Sequence, residues 1–150
     1  MADEARESIH IGASPERCYA VATDFDRYPE WATDVKHVEV LERDGEGRGT
    51  KVKYRISALG KTMGYILAYD YADAPGGFSW VLEKAEVLRQ LDGSYSFVAQ
   101  DGGTRVGYVL AVDITVPLPG FMKKAAAGMI VQNAMKQLKQ YVEAGGGADM

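Results

Sequence analysis

The sequence predicts an α+β fold, a curved antiparallel sheet of six to seven strands wrapped around one long C-terminal helix. Three observations carry this. Apolar residues recur at alternate positions along most of the stretch from Val35 to Val116, which is the period of half-buried strands. Short clusters rich in Gly, Pro and Asp separate these runs at hairpin spacing. From Phe121 the apolar period changes to three and four and persists to Gly145-Gly146-Gly147.

Taken in order, Ala5 to Ile11 alternates and reads as a first strand. Ser14 is a suitable N-cap and Pro15 a suitable first residue for a short helix ending near Thr23, with Cys18, Val21 and Ala22 on its apolar side. Asp24-Phe25-Asp26 breaks it, and Tyr28-Pro29-Glu30-Trp31 opens a second short helix. Val35, Val38 and Val40 begin a strand that ends at the hairpin signal Asp44-Gly45-Glu46-Gly47. Lys51 to Ala58 places Val52, Tyr54 and Ile56 on one face, and Leu59-Gly60-Lys61 turns the chain. Met63, Tyr65, Leu67, Tyr69 and Tyr71 share the next inner face, followed by a turn at Ala74-Pro75-Gly76-Gly77. Phe78, Trp80 and Leu82 alternate, then Leu88 to Ala99 carries Tyr95 and Phe97 with an irregularity expected at Asp92-Gly93. The last strand, Thr104 to Val116, sets Val106, Tyr108, Leu110, Val112, Ile114 and Val116 on one side. Pro117-Leu118-Pro119-Gly120 ends it. The helix then runs from Gly120 to about Glu143, with Met122, Ala126, Met129, Ile130, Ala134, Leu138, Tyr141 and Val142 as its apolar stripe. At roughly 36 Å such a helix is long enough to cross a sheet of six or seven strands. The tail from Gly145 to Met150 is expected to be disordered.

A chain of 150 residues is expected to form one domain, 1–150, that buries roughly two-thirds of its unfolded surface without a staple. The net charge of -4 and the lack of a basic stretch argue against nucleic acid as partner. One cysteine, Cys18, excludes an intrachain disulfide and fits a reducing, cytoplasmic location. Neither a signal peptide nor a membrane-spanning run is legible, so no integral membrane association is expected. His10 and His37 lie far apart, and no metal-ligand spacing, Gly-x-Ser-x-Gly turn or phosphate loop stands out. Asp70 and Asp113 fall on the face opposite the aromatic stripe. No cofactor, metal or catalytic residue is assigned, and oligomeric state is not legible.

The composition carries one oddity, nine Tyr and two Trp. Such residues combine an apolar body with a polar handle, so on inner strand faces they suggest a half-wet interior; as surface strand formers they would be neutral. The inner faces collect Tyr54, Tyr65, Leu67, Tyr69, Trp80, Tyr95, Phe97, Tyr108 and Leu110, and Met122 and Met129 are expected to face them from the helix. These eleven are the candidate ligand-binding residues.

Several strings resemble those of the START-like, or SRPBCC, superfamily, also called helix-grip or birch-allergen-like, and specifically its polyketide cyclase/dehydrase and coenzyme Q-binding (lipid transport) branch. They are Ala13-Ser14-Pro15-Glu16, Asp24-Phe25-Asp26-Arg27-Tyr28-Pro29-Glu30-Trp31, Tyr69-Asp70-Tyr71, Val116-Pro117-Leu118-Pro119-Gly120-Phe121 and Leu138-Lys139-Gln140-Tyr141-Val142-Glu143. The resemblance covers about residues 5 to 144 and implies a deep apolar pocket between sheet and C-terminal helix. Its members bind lipids, sterols, quinones, polyketides or plant hormones. The expected function is therefore binding of a hydrophobic or amphipathic small molecule, as carrier or sensor. The alternatives are a polyketide cyclase or aromatase acting through Tyr54, Tyr65 or Tyr108, and a protein-interaction module with a vestigial pocket.

Overall fold

Every strand and helix expected from the sequence is present in the computed structural model, which describes residues 3–58, 61–115, 117 and 119–146. The chain runs β1 (Asp3–Ile11), α1 (Pro15–Thr23), a 3₁₀ turn (Phe25–Arg27), α2 (Tyr28–Trp31), β2 (Val35–Arg43), β3 (Gly49–Ala58), β4 (Lys61–Asp70), β5 (Gly77–Ala85), β6 (Leu88–Gln100), β7 (Gly103–Ile114) and α3 (Gly120–Glu143). The Asp24-Phe25-Asp26 break is thus a tightened turn that drops Phe25 into the core. Of the turns expected from sequence, Leu59-Gly60 lies outside the described residues, as do Val116, Leu118 and the tail beyond Gly146.

The seven strands form one antiparallel sheet in the order β1-β7-β6-β5-β4-β3-β2. Strands β2 to β7 are a meander, which short turns dictate. The first strand pairs instead with the last, from Asp3↔Val112 to Ile11↔Thr104. Consecutive strands β1 and β2 therefore sit at opposite edges, and α1 and α2 bridge the open concave side between them.

Local chemistry fixes the ends of these elements. Ser14 Oγ accepts from Arg17 N at 3.2 Å, capping α1. Asp44 Oδ1 accepts from Glu46 N and Arg48 N, and Oδ2 from Arg48 Nε at 2.8 Å, closing the β2–β3 hairpin with Gly47 at φ 83. At the end of α3, Gly145 takes φ 93, its N–H bonds Val142 O, and Gly146 N bonds Tyr141 O at 2.8 Å, a Schellman ending. Arg17 reaches the same carbonyl end and donates to Val142 O and Gly146 O. Gly145 and Gly146 thus terminate α3, as the glycine run after Glu143 leads one to expect.

Helix α3 packs on β1 and β7 and touches α1 and α2. Its buried stripe is Ala126, Ala127, Val131, Met135, Leu138 and Val142, and burial of each large member contributes about 1.5–3 kcal/mol. This corrects the orientation expected from sequence. Met122 and Met129 lie on the outer, exposed side and do not face the tyrosines. The rest of the expected stripe does face inward: Ala126, Leu138 and Val142 are buried, and Ile130, Ala134 and Tyr141 pack against the core.

Candidate functional site

Alternation along five strands puts Tyr54, Tyr65, Leu67, Tyr69, Trp80, Tyr95, Tyr108 and Leu110 on the concave face, and strand register turns them into neighbours. Tyr54 is paired with Tyr65, Tyr69 with Trp80, and Tyr95 with Tyr108. Ring centroids stand 5.4 Å apart for Tyr54–Tyr65, 5.8 Å for Tyr69–Trp80 and 4.6 Å for Tyr95–Tyr108, which meet edge to face.

This aromatic face is divided into a solid part and a hollow part. At the α1 end, Phe78 and Phe97 meet Tyr19 edge-on at 6.2 and 6.0 Å, and Phe25 stacks tilted on Tyr69 at 4.5 Å. Phe97 belongs to this packed plug and does not line the cavity. At the other end the same face opens into a cavity of about 170 Å³. That volume is about what one aromatic ring needs. It lies below the roughly 300–1,000 Å³ of pockets that hold drug-sized ligands, so a larger molecule requires the helices to part.

The boundary depends on Gly93. A Cβ there would lie 2.5 Å from Trp80 Cζ2 and 2.6 Å from Val109 O, so only glycine lets the indole lie flat against β6. Residue pairing between β5 and β6 ends at Trp80↔Gly93, and Asp92 Oδ1 accepts from Leu82 N at 2.9 Å beyond that point. The irregularity expected at Asp92-Gly93 is where β5 peels away from β6.

Eight of the eleven expected residues line the cavity: Tyr54, Tyr65, Leu67, Tyr69, Trp80, Tyr95, Tyr108 and Leu110. Phe97, Met122 and Met129 do not. The helix wall consists of Ile130, Ala134, Asn133 and Gln137 instead. Sequence reasoning also missed Tyr28 and Trp31, which complete the wall from α2. Their i, i+3 spacing in Tyr28-Pro29-Glu30-Trp31 puts both rings on one side of that short helix, and this was the available signal. The exposed Asp34 and Asn133 mark where the cavity meets solvent. Beside them, Gln137 Nε2 donates to Thr33 Oγ1 at 2.8 Å and ties α3 to the end of α2.

The polar groups of the wall fall into two sets. Tyr54 and Tyr69 share a hydroxyl–hydroxyl bond of 2.6 Å, and Tyr28 donates to Ala22 O. The hydroxyls of Tyr65, Tyr95 and Tyr108 make no hydrogen bond among the described residues, and the buried indole N–H of Trp31 has no partner among them either. Burial pushes the phenols of Tyr28, Tyr54, Tyr69, Tyr95 and Tyr108 well above their ordinary value, and mutual repulsion with neighbouring tyrosines adds to it. Tyr65 is raised chiefly by burial and then by the Asp34 charge. At neutral pH the cavity is therefore lined by neutral phenols able to donate hydrogen bonds.

Residues 2–143 match the profile of the family described as polyketide cyclase/dehydrase and lipid transport. The chain belongs to this family. As a member of the polyketide cyclase/dehydrase and lipid transport family, it has the START-like helix-grip fold that its sequence strings resemble. A START superfamily protein from Mycobacterium smegmatis is similar at 25% identity and TM-score 0.88, over 94% of this chain and 97% of that one. A protein from Thermus thermophilus shares the fold at 24% identity and TM-score 0.78, over 94% and 97%. The Zhui aromatase/cyclase from Streptomyces sp. R1128 shares it at 14% identity and TM-score 0.82, over 97% and 96%. No curated protein matches the chain in sequence.

Proposed function

We propose that this family member binds a small, neutral, hydrophobic or amphipathic molecule in the cavity between the sheet, α2 and α3, as a carrier or sensor. One observation carries the reading. The wall is aromatic, the buried Trp31 N–H has no partner among the described residues, and the phenols of Tyr65, Tyr95 and Tyr108 line the same cavity. A buried donor without an acceptor is costly, and a ligand carbonyl or hydroxyl relieves it. A carboxylate ligand would find no buried cation in this wall and would lose several kcal/mol of hydration. A quinone or ring-sized ketone meets these requirements in the cavity as it stands, and a polyketide-like ketone or a lipid with a small polar group meets them once the helices part.

The chain's two tryptophans, Trp31 and Trp80, both line the cavity, so intrinsic fluorescence reports directly on occupancy. Titration with a neutral aromatic ketone should give a saturable change, and its carboxylate analogue should bind at least about ten-fold more weakly. A linear, unsaturable response, or equal affinity for the two compounds, would overturn the proposal.

A second reading, cyclisation of a polyketide-like chain, draws support from the family description and from the aromatase/cyclase among the structural neighbours. Here the hydroxyl of Tyr65 or Tyr108 hydrogen-bonds and polarises a substrate carbonyl while keeping its own proton, because burial disfavours the phenolate. Tyr→Phe at either position should then lower turnover without abolishing binding. Binding with no conversion of any poly-ketone offered would leave only the carrier reading.

A further inference from the structure

Among the described residues the cavity wall holds a single carboxylate, Asp34, and no lysine, arginine or histidine. Asp34 is exposed at the rim, and its side chain makes no hydrogen bond or ion pair among the described residues. Its backbone is held in place, since Asp34 O accepts from Ser57 N at 2.9 Å. The two other polar side chains of the rim are neutral. Gln137 is engaged by Thr33 on both amide atoms, Nε2 donating to Thr33 Oγ1 at 2.8 Å and Oε1 accepting from Thr33 N at 3.4 Å. Asn133 can donate or accept, so it does not discriminate between ligand groups. The Asp34 charge also reaches into the cavity, where it adds to the burial that raises the Tyr65 phenol. The aromatic wall acts in the same sense, because the negative face of such rings attracts a cation.

We propose that Asp34 is a specificity-determining residue: among the molecules the cavity can hold, it selects those whose outer end is a hydrogen-bond donor, a hydroxyl or, more strongly, a protonated amine. This selection rests on the ligand reading above and names the chemistry of the ligand's exposed end. The enclosed ring and its carbonyl or hydroxyl stay neutral within the wall. The outer end remains hydrated at the rim, so meeting Asp34 carries no charge into the interior, where the large cost of an ion arises. A carboxylate or phosphate in the same place would face Asp34 and find no cation among the lining residues.

The test is tryptophan fluorescence titration of the full chain with three forms of one aromatic ring ketone that differ only in the outer substituent: aminomethyl, methoxymethyl and carboxymethyl. At low salt the amine should bind about five-fold tighter than the ether, and the carboxylate should bind weakest. Physiological salt should narrow these differences. In Asp34→Asn the amine and the ether should bind alike, and the carboxylate should gain about two- to five-fold relative to the ether. Asp34→Glu, which keeps the charge, should keep the parent's order of preference, and circular dichroism checks the fold of each variant. An amine no tighter than the ether, or a preference that survives Asp34→Asn, would overturn the proposal and leave the cavity reading standing on the saturable binding of the ether. Loss of affinity for all three ligands together in Asp34→Asn would assign a structural role and overturn it as well. Failure of all three to bind saturably to the parent chain would overturn both readings.

Discussion

Two tyrosines, each mutated to phenylalanine, should respond with opposite consequences although each loses one oxygen. The Tyr71 hydroxyl donates to Gly49 O at 2.6 Å, a buried bond that joins β4 to the start of β3. Tyr71→Phe leaves that carbonyl with one bond fewer and should cost about 1–3 kcal/mol. For a chain of this length, 2 kcal/mol lowers Tm by about 4–8 °C. Tyr108 is as deeply buried, but its hydroxyl has no partner among the described residues. Tyr108→Phe should change the stability of the empty protein by less than about 0.5 kcal/mol, because no hydrogen bond to the protein is lost. Its cost should appear in binding, as a loss of about 0.5–1.5 kcal/mol, or roughly 2–12-fold in Kd, for a ligand that accepts from it. Urea unfolding followed by circular dichroism gives the first quantity, and the tryptophan titration gives the second. A Tyr108→Phe variant as destabilised as Tyr71→Phe, with ligand affinity intact, would show that the hydroxyl is structural and would remove the basis of the donor argument.

Two further outcomes follow from the same side chains. The phenols of Tyr28, Tyr54, Tyr65, Tyr69, Tyr95 and Tyr108 are raised above their ordinary value of 10.0, so the stability they confer is fully present below pH 10 and is lost as pH climbs past it. Phenolate absorbance from these residues should therefore rise together with the loss of circular dichroism, and phenolate appearing while the fold is intact would contradict their burial. Gly93→Ala forces a methyl group against the Trp80 indole and Val109 O, which should cost about 1–3 kcal/mol and shift tryptophan emission; an unchanged spectrum and stability would refute the packing assigned to Trp80.

Much of this architecture is legible in the sequence because a strand's period is two. Once Tyr54, Tyr65, Tyr69, Trp80, Tyr95 and Tyr108 are assigned to strands, parity alone places them on one face. Helix α3 is harder to orient. In Phe121–Ile130, three consecutive alanines carry little directional signal, so Met122 and Met129 fit one helical stripe as well as Val131 and Met135 fit another. Only the contacts with β1 and β7 select between them. The split of the aromatic face into plug and cavity is also nonlocal, because Tyr19 and Phe25 enter from α1 and the 3₁₀ turn to fill one end. The unpartnered indole of Trp31 has no sequence signal, since a donor lacks a partner only by virtue of everything packed around it.

Native mass spectrometry of the chain purified from a lipid-rich lysate tests the central claim most directly. The account expects a population carrying a neutral small molecule, released on collisional activation and depleted in Tyr108→Phe. A uniformly empty protein, unchanged after incubation with the lysate's organic extract, would contradict it.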